Sequence, residues 1–278
     1  MQLSVLIRNL NEADDLRICL CALRKQKTNF DFEIIVVDNE SDDHSVEVAK
    51  QFDCRIINLP RKEFTYGKAL NIGIAACTGE FILIQSSHVY LLSDYFLQSI
   101  PFYFSSDKTI AALRFVSTSS APTIKNAIQN GERIMSMESE NGDIEKIWLH
   151  APVNNCAAIR KSVWEKYTYN ESVFYSEDKI WAFTVLKAGF KIKTNVPLFY
   201  QYHKLMNRDQ MLRRRALEEV AFKLVTGKAY RYYPGSFFEK TKYLYRQLRA
   251  TIFRVGALFK TQAMVKEIYQ KEKDRFIF

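Results

Sequence analysis

Glycine is scarce in this sequence, with nine residues among 278. Average usage is about 7%, so a glycine-rich repeat or a fibrous architecture is excluded. Internal repeats and low-complexity tracts are missing as well. Because 47% of the residues are hydrophobic, the chain can bury one sizeable α/β core and still carry an appendage. Ordinary helices and strands are therefore expected to dominate.

Cysteine pairs and long apolar runs are missing too. The five cysteines are scattered and include no Cys-x-x-Cys, so the sequence predicts neither a disulfide framework nor a zinc ribbon. No stretch approaches the roughly 18 apolar residues that span a bilayer, and Met1 leads into Leu3–Ile7 without a basic leader. We therefore expect a protein of the reducing cytoplasm, soluble or peripheral on the inner face of the cell membrane.

The net charge of +9 is unevenly distributed. Residues 204–278 contain 18 basic and seven acidic side chains, which leaves the preceding part slightly acidic. This asymmetry predicts a boundary near residue 205, with one domain over 1–205 and a basic helical extension over 206–278. The extension could dock on an anionic membrane surface or form a solvated pair of helices. No recognised nucleic-acid motif is present, so nucleic acid is not an expected partner.

The first hundred residues alternate between short apolar runs and helical patterns. The runs predict strands at Leu3–Ile7, Phe32–Asp38, Arg55–Asn58 and Phe81–Gln85. Helices are predicted between them at Asp14–Gln26, His44–Phe52 and Gly67–Ala76. Such alternation favours an α/β fold with a mostly parallel sheet covered by helices on both faces. Ligands of such sheets bind beyond the carboxyl ends of the strands, where Asp38 and the residues after Gln85 lie.

Beyond residue 110 the pattern is less regular. Strands are predicted at Ile110–Val116, Cys156–Arg160 and Phe190–Thr194, a helix at Glu177–Lys187, and loop and helix over Thr118–Gly142. From Met206 onward only helical patterns remain, at about 206–226, 237–258 and 261–275. The α/β part is therefore expected to end near the aromatic run Phe199–His203.

Carboxylates cluster in the loop Asp38–Asp43, directly after a predicted central strand. A carboxylate there can accept hydrogen bonds from a nucleobase imide or from ribose hydroxyls, which makes Asp38 a candidate nucleotide ligand. The alternative is that Ser41 or Asp42 caps the next helix, and for Asp42 and Asp43 capping is the better interpretation.

The polar triplet Ser86–His88 follows another apolar strand, where groups that meet a diphosphate would be needed. The serine hydroxyls can donate hydrogen bonds, and His88 can ligate a divalent cation when neutral or offset leaving-group charge when protonated. A lone histidine is more often structural, and that alternative stays open. His203 could join His88 at one ion or cap the core. Candidate diphosphate contacts, unless they are merely solvated, are Arg61, Lys68 and Arg160.

The acidic pair Glu177–Asp178 heads a predicted helix, with Ser176 as a possible N-cap. On the residues alone, this capping interpretation is the stronger. The functional alternative is that one carboxylate is a base that deprotonates an acceptor hydroxyl, because proton removal must accompany attack on an anomeric carbon.

Three stretches resemble family 2 glycosyltransferases, whose fold is the GT-A type, a Rossmann-like sheet with an attached acceptor half. Val5–Glu12 is similar to the family's opening strand and Asn-Glu turn, and Glu33–Asp42 is similar to its Val-Val-Asp-x-Gly-Ser-Thr-Asp segment. Gly67–Ile84 resembles the Gly-x-Ala-x-Asn-x-Gly helix and the strand that leads into the Asp-x-Asp motif, and is the most specific match. The resemblance covers about residues 3–203.

The resemblance implies roles for particular residues. Asp38 would bind the nucleotide base, Ser86 and His88 occupy the two acidic positions of Asp-x-Asp, and Asp178 would be the catalytic base, supported by Glu177. The expected nucleotide-sugar ligands, in a half formed by residues 1–100, are Asn9, Glu12, Asp38, Arg61, Lys68, Asn71, Ser86, Ser87 and His88. In the acceptor half, residues 101–205, the expected contacts are Asn155 and Trp181.

Arg61–Gly67 and Asn154–Ala158 look like a bacterial branch of the family that builds surface polysaccharide or glycolipid, often by rhamnosyl transfer. The resemblance therefore implies an inverting transfer from a UDP-, dTDP- or GDP-linked sugar to a hydroxyl of a glycan or polyprenyl-linked acceptor. The alternative is a catalytically inactive binding or scaffold protein that kept the fold.

Two residues depart from the family pattern. Glu40 stands where the family has glycine, which could alter the turn without removing Asp38. Ser86 replaces the first acidic ligand, so Mg²⁺ or Mn²⁺ loses a carboxylate of the oxygen-rich site that it prefers. His88 with His203 resembles an arrangement in which Asp-x-His and a later histidine bind manganese, and these two residues are the predicted metal ligands.

Overall fold

The computed structural model describes residues 2–118, 135–137, 144–204, 206–227 and 263–271. Within these ranges the strands are β1 (Leu3–Asn9), β2 (Phe32–Asp38), β3 (Arg55–Asn58), β4 (Phe81–Ser86), β5 (Val89–Leu91), β6 (Ile110–Ser117), β7 (Met135–Met137), β8 (Cys156–Arg160) and β9 (Lys191–Tyr202). The helices are α1 (Ala13–Arg24), α2 (Ser45–Gln51), α3 (Tyr66–Ala76), α4 (Phe96–Ser105), α5 (Ile144–His150), α6 (Lys161–Trp164), α7 (Glu177–Lys187), α8 (Arg208–Thr226) and α9 (263–271), with a 3-10 turn at Arg61–Glu63.

The nine strands form one sheet in the order β3-β2-β1-β4-β8-β6-β9-β5, and β7 pairs with β9 outside that path. Strands β3, β2, β1 and β4 are parallel, so their carboxyl ends meet at one edge, here called the carboxyl edge. Strand β8 runs antiparallel to β4 and pairs Cys156 with Gln85. The segment that leads into β8 therefore arrives at the carboxyl edge, next to the residues that leave β4.

Alternate residues of β1 serve two different cores. Leu3, Val5 and Ile7 belong to a buried cluster with side chains of α1, α2 and α4. Leu6 belongs to a second cluster, with side chains of α3, α6 and α7. The strand period of two produces this division, and burying each such side chain contributes about 1.5–3 kcal/mol. The predicted parallel sheet with both faces covered is present in this half of the molecule.

Two glycines of helix α3 allow it to pack closely against neighbouring residues. The Thr65 side chain caps the helix by accepting a hydrogen bond from the Lys68 N–H at 3.0 Å. A Cβ on Gly67 would lie 2.3 Å from the carbonyl oxygen of Asn170, and one on Gly73 would lie 2.4 Å from a Leu6 methyl carbon. Both glycines of the sequence pattern are therefore packing residues.

Most predicted elements are present, and the differences have local causes. Helix α4 was not predicted, and it contains Pro101, which removes one helical hydrogen bond. The two predicted segments Phe190–Thr194 and Phe199–His203 belong largely to one long strand, β9, which continues through Asn195 at φ 56°.

The chain is divided into two compact units. The first consists of Met1–Glu171 with Glu177–Lys204, and the second of Ser172–Ser176 with Leu205–Phe278. In the second unit α8 begins with a capping box, in which the Asn207 side chain accepts from the Gln210 N–H at 2.9 Å. The helix predicted at 237–258 and most of Thr118–Gly142 lie outside the described residues. None of the helices described combines the length and apolar composition needed to cross a membrane.

Candidate active site

Asp38 ends β2 at the carboxyl edge, and its carboxylate is held by neighbouring residues. Oδ1 accepts hydrogen bonds from Asn9 Nδ2 at 3.0 Å and from the Ser41 hydroxyl at 2.6 Å, and Oδ2 accepts from the Ser41 N–H at 2.9 Å. Asn9 and Asp38 are paired across β1 and β2, so the structure brings these two predicted ligands together. A carboxylate offers about four acceptor positions, which leaves capacity for one ligand donor.

Glu40 keeps the backbone conformation that a glycine would adopt, with φ at 56°. Its carboxylate accepts from the Arg61 N–H at 2.8 Å, and the Arg61 guanidinium donates to the Glu40 carbonyl oxygen at 2.7 Å and to the Asp42 carboxylate. The departure from glycine therefore leaves the turn intact. Arg61, predicted to meet the diphosphate, is bonded to the loop that follows Asp38.

The N-cap residues of α1 and α2 are Glu12 and His44, and the Asp43 carboxylate accepts from the first N–H group of both helices. Its Oδ2 accepts from the Ala13 N–H at 2.9 Å and its Oδ1 accepts from the Ser45 N–H at 3.0 Å. The capping expected from Asp42 was wrong, because the Asp42 carboxylate accepts from Arg61. The alternative that Ser41 caps α2 also fails, because the Ser41 hydroxyl donates to Asp38.

The Glu12 carboxylate gathers the polar triplet that follows β4. Its Oε2 accepts from the Ser87 hydroxyl and lies 2.7 Å from His88 Nδ1, and its Oε1 accepts from Lys204 Nζ at 2.9 Å. Burial alone would raise the pKa of Glu12, but the hydrogen bonds from His88, Ser87 and Lys204 and the charge of His88 lower it to about 2. Three predicted residues, Glu12, Ser87 and His88, therefore form one cluster, to which the structure adds Lys204.

The two predicted metal ligands are neighbours in the backbone, because the His203 N–H donates to the His88 carbonyl oxygen at 2.9 Å. Their rings have different partners: His203 Nδ1 lies 3.4 Å from an Asp15 oxygen, whereas His88 contacts Glu12 and the edge of Tyr202. Within the described ranges, no three His, Cys, Asp or Glu side chains are arranged to hold a metal ion. Metal ligation by these histidines stays a prediction.

Two consecutive asparagines connect the triplet to the acidic pair. The Asn155 carbonyl oxygen accepts from the Ser86 N–H at 3.0 Å, and its Oδ1 accepts from the Tyr200 hydroxyl at 3.2 Å. The Asn154 N–H donates to Asp178 Oδ2 at 3.2 Å, and its Nδ2 donates to Glu177 Oε1 at 3.3 Å. The sequence named Asn155 as a site residue and missed Asn154, although both belong to the same matched segment.

Glu177 and Asp178 begin α7, where Glu177 is buried and Asp178 is partly buried. Burial, followed by the charge of Asp178, raises the pKa of Glu177 to about 7. Burial also raises the pKa of Asp178, against the lowering effects of the Lys179 charge and of the hydrogen bonds from Asn154 and Lys179. When two adjacent carboxyls share one buried site, the proton resides on the one that is harder to ionise. Asp178 is therefore the candidate proton acceptor of the pair.

Arg8 is a site residue that sequence reasoning missed. Its guanidinium donates to the Asn154 carbonyl oxygen at 3.1 Å, and the guanidinium carbon lies 5.2 Å from the centre of the Tyr66 ring. The signal was present in the sequence, because an arginine directly after the buried apolar run Leu3–Ile7 requires a specific reason. Lys204, next to His203, was missed because a single exposed lysine carries no pattern.

Three other predicted residues have their polar groups occupied by the protein. The Asn71 amide donates to the Tyr169 carbonyl oxygen and to Glu171, and accepts from Trp164 and from the Tyr169 N–H. The Trp181 ring is buried against Tyr169, with its N–H donating to the Tyr167 carbonyl oxygen at 2.6 Å. Lys68 pairs with Glu63 at 2.7 Å. The structure gives these residues packing or surface contacts and does not gather them with Asp178.

Two expectations need correction. Arg160 is opposite Phe81, at the start of β4 and thus away from the carboxyl edge, where it donates to the carbonyl oxygens of Ile110 and Phe104 and to Glu80. It is not a diphosphate contact. Ser176 does not cap α7 through its hydroxyl, which is buried without a hydrogen-bond partner among the described residues, and its φ of 62° differs from the extended backbone of an N-cap.

Comparisons with known proteins identify the family of the chain. Residues 4–168 match the model of a family described as glycosyl transferase family 2. The O-antigen chain rhamnosyltransferase RfbN of Salmonella typhimurium is 27% identical over 176 residues, covering 60% of this chain and 56% of that protein. WbaN of Salmonella anatum, with the same description, is 25% identical over 178 residues, covering 62% and 56%. The chain therefore spans about half the length of the curated relatives that it matches.

Solved structures share the fold at low sequence identity. TarS 1–349 of S. aureus in complex with UDP-GlcNAc superposes with a TM-score of 0.64 at 16% identity, covering 95% of this chain and 78% of that chain. The mannosyltransferase PcManGT of Pyrobaculum calidifontis, in complex with GDP-Man and Mn²⁺, superposes with a TM-score of 0.60 at 16% identity, covering 99% and 85%. The predicted GT-A fold is confirmed.

Proposed function

The chain belongs to glycosyl transferase family 2, and we propose that it transfers a sugar from a nucleoside diphosphate sugar to an acceptor hydroxyl, with inversion at the anomeric carbon. The observation that carries this proposal is the pair of bonds made by Asn154 and Asn155. They bring the Glu177–Asp178 pair, a candidate proton acceptor, next to the triplet Ser86–His88, a candidate diphosphate site. For displacement at an anomeric carbon, the base and the diphosphate site must both be close enough to contact the same pair of bound substrates.

Asp178 is the proposed base. Its Oδ2 is oriented by the Asn154 N–H, and the partly protonated Glu177 beside it relieves the repulsion between the two carboxyls. As the acceptor oxygen attacks, Asp178 takes its proton, a new C–O bond forms, and the anomeric C–O bond to the diphosphate breaks on the opposite face. Burial raises the pKa of Asp178, and a carboxylate base with a higher pKa gains driving force for this proton transfer.

The departing diphosphate would be met by donors that Glu12 positions. His88 and Lys204 both contact this carboxylate, so their directions are fixed before substrate binds. Preorganised donors aimed at developing negative charge need no reorganisation during the reaction. Asp38 would meet the nucleoside with its remaining acceptor capacity.

The donor set around the triplet fits a hard divalent cation poorly. Mg²⁺ and Mn²⁺ prefer several carboxylate or carbonyl oxygens. The nearby carboxylate is Glu12, whose oxygens already accept from Ser87, His88 and Lys204, and the Lys204 ammonium would repel a second cation. We therefore assign no step to a metal, and the predicted ligation by His88 and His203 is left to a chelation experiment.

The biological setting follows from the relatives. Two of them are described as O-antigen chain rhamnosyltransferases, and the solved structures contain UDP-GlcNAc or GDP-Man. These names support a donor sugar linked to a nucleoside diphosphate and an acceptor that is a growing bacterial surface glycan or its polyprenyl-linked precursor. The basic extension over 206–278 would bring the protein to the anionic membrane on which such acceptors are carried.

A panel of nucleotide sugars tests this proposal. A ligand that binds only the folded state raises its apparent thermal stability, so the true donor should raise Tm. With that donor, Asp178→Asn should keep the Tm shift and lose turnover by about 10²–10⁴-fold, the usual worth of a general base. Asp31→Asn, the same chemical change at an exposed position before β2, should behave as wild type. Donor binding without any turnover by the wild type would instead favour the inactive scaffold.

A further inference from the structure

Arg8 occupies an unusual place for a charged residue. Arg8 is the last but one residue of β1 and follows the fully buried residues Leu3–Ile7 in the same strand. Strand β1 pairs with β2 on one side and with β4 on the other. Its backbone is therefore fixed on both sides, and its side chain starts at the carboxyl edge. The side chain is partly buried, and Nε is a buried donor with no hydrogen-bond partner among the described residues.

The contacts of Arg8 lead to one residue, Asn154. All four polar groups of Asn154 are used: the carbonyl oxygen accepts from Arg8, the N–H donates to Asp178, Nδ2 donates to Glu177, and Oδ1 accepts from the Tyr169 hydroxyl. A bond to the carbonyl oxygen fixes the plane of the peptide between Asn154 and Asn155, the residue that also holds Ser86. Arg8 thus braces this segment from the centre of the sheet.

We propose that Arg8 is a positioning residue for the acidic pair: it braces Asn154, which donates to both carboxyls, and it brings a positive charge to that segment. The role of the ionised Asp178 as a base rests on the proposed function, whereas the bracing and the effect of the charge do not.

The surrounding charges support this assignment. The groups that face the pair are Arg8 from β1, Lys179 and the two carboxyls themselves from α7, and the Tyr169 hydroxyl from the segment after α6. Burial raises the pKa of both carboxyls, and the positive charge of Arg8 lowers the pKa of each. Lys179 acts on Asp178 as well, but its ammonium lies over the Trp148 ring at 5.2 Å. The charge of Arg8 therefore comes from β1, whereas that of Lys179 comes from the helix that carries the pair.

The proposed role of Arg8 has two parts, the hydrogen bond to Asn154 and the positive charge, and substitutions can separate them. The guanidinium carbon of Arg8 lies over the Tyr66 ring, and one guanidinium nitrogen donates to the Asn154 carbonyl oxygen. A lysine ammonium cannot make both contacts in the same way. Arg8→Lys should keep the charge and loosen the brace. Arg8→Gln should remove the charge and keep a hydrogen-bond donor on a shorter side chain.

The first measurement is the pH profile of kcat/KM with the donor that the panel of nucleotide sugars selects. In Arg8→Gln the acid limb should move up by about one pH unit or more, because loss of an opposite charge raises a carboxyl pKa. Arg8→Lys should keep the wild-type limb while kcat falls, and Arg17→Gln, an exposed arginine of α1, should change neither. An unmoved limb in a folded Arg8→Gln would overturn the proposal.

The second measurement does not depend on turnover. Carbon-13 NMR of protein labelled at the glutamate carboxyl, with Glu177→Gln to assign the signal, gives the titration midpoint of Glu177. The midpoint should rise by about one pH unit in Arg8→Gln. Equal midpoints overturn the role of Arg8 even if the enzyme is active. A shifted midpoint in a protein that turns over no nucleotide sugar upholds that role and counts against the proposed function.

A variant at Tyr66 covers the case in which Arg8→Gln does not fold. Tyr66 is 38% exposed, so Tyr66→Leu should be tolerated while it removes the ring beside the guanidinium. The Glu177 midpoint should then rise by less than a unit, because the charge remains but is less well held. A midpoint that is unchanged or lowered in this variant contradicts the brace.

Discussion

The Ser86 N–H donates to the Asn155 carbonyl oxygen at 3.0 Å, one residue after the asparagine that bonds both members of the acidic pair. The end of β4 and the start of α7 are therefore aligned through two consecutive residues. Because neither asparagine lies in a regular element, the alignment depends on side-chain and single backbone hydrogen bonds.

Asn154→Ala should destabilise the fold by about 1–3 kcal/mol, because the buried Tyr169 hydroxyl and Glu177 each lose a partner. Urea unfolding gives the free energy. In Asn154→Ala with Tyr169→Phe the added loss should be small, since the orphaned hydroxyl is removed as well. If the losses of stability in Asn154→Ala and Tyr169→Phe, measured singly, added up to the loss in the double variant, the bond between Asn154 and Tyr169 would contribute nothing.

Glu177→Gln should flatten the pH dependence of stability. The folded pKa of Glu177 is raised from 4.5 to about 7, so the stability that this carboxyl contributes is complete below about pH 4.5 and is lost as pH rises to about 7. The glutamine variant has no proton to lose. It should exceed wild type by about 1–3 kcal/mol at pH 8 and match it more closely at pH 5. Unfolding curves at the two pH values decide this, and parallel behaviour of the two proteins would contradict it.

Transfer should continue in the presence of EDTA if His88 and Lys204 stabilise the leaving group. Lys204→Gln should then lower kcat by about tenfold or more, in the range found when one preorganised donor is lost. Lys166→Gln, at an exposed lysine, serves as the control. The predicted metal site gives the opposite pattern: activity lost in EDTA, restored by Mn²⁺, and abolished in His203→Ala.

Gly67→Ala should destabilise the protein by about 1–3 kcal/mol, because the new methyl would lie 2.3 Å from the Asn170 carbonyl oxygen and backbone must move. Thermal unfolding measures the loss. Ala75→Ser, at an exposed position of the same helix, is the control. A neutral Gly67→Ala would mean that the 170 segment shifts freely.

Reversing the charge of two exposed arginines of α8, Arg213→Glu with Arg215→Glu, should abolish most binding to vesicles rich in phosphatidylglycerol. Each basic residue near an anionic surface contributes about 1 kcal/mol. Co-sedimentation compares this variant with Lys50→Glu plus Lys166→Glu, which makes the same charge change in the first unit. Equal binding by the two variants would identify α8 as a merely solvated helix.

The parallel half of the fold was predictable because its strands are apolar runs separated by helical periods, and periodicity is a local property. The same logic found Asp38 and the triplet at strand ends. Arg8, Asn154 and Lys204 were not found, since their roles arise from contacts between segments up to 192 residues apart. The glycines of the most specific sequence match proved to be packing residues, which shows that a family pattern can record helix docking as well as chemistry.

Arg160 lies beside the stacked Phe81 and Phe104 rings, with its guanidinium carbon 5.1 and 5.2 Å from their centres, at the rim of the sheet opposite the proposed chemistry. Stabilising substitutions often reduce activity when they stiffen residues that must react. Here the rim around Arg160 can be repacked without touching Asp38, Ser86 or Asp178. Directed evolution of a more heat-tolerant catalyst should therefore start at this rim, where gains in robustness leave substrate selectivity unaltered.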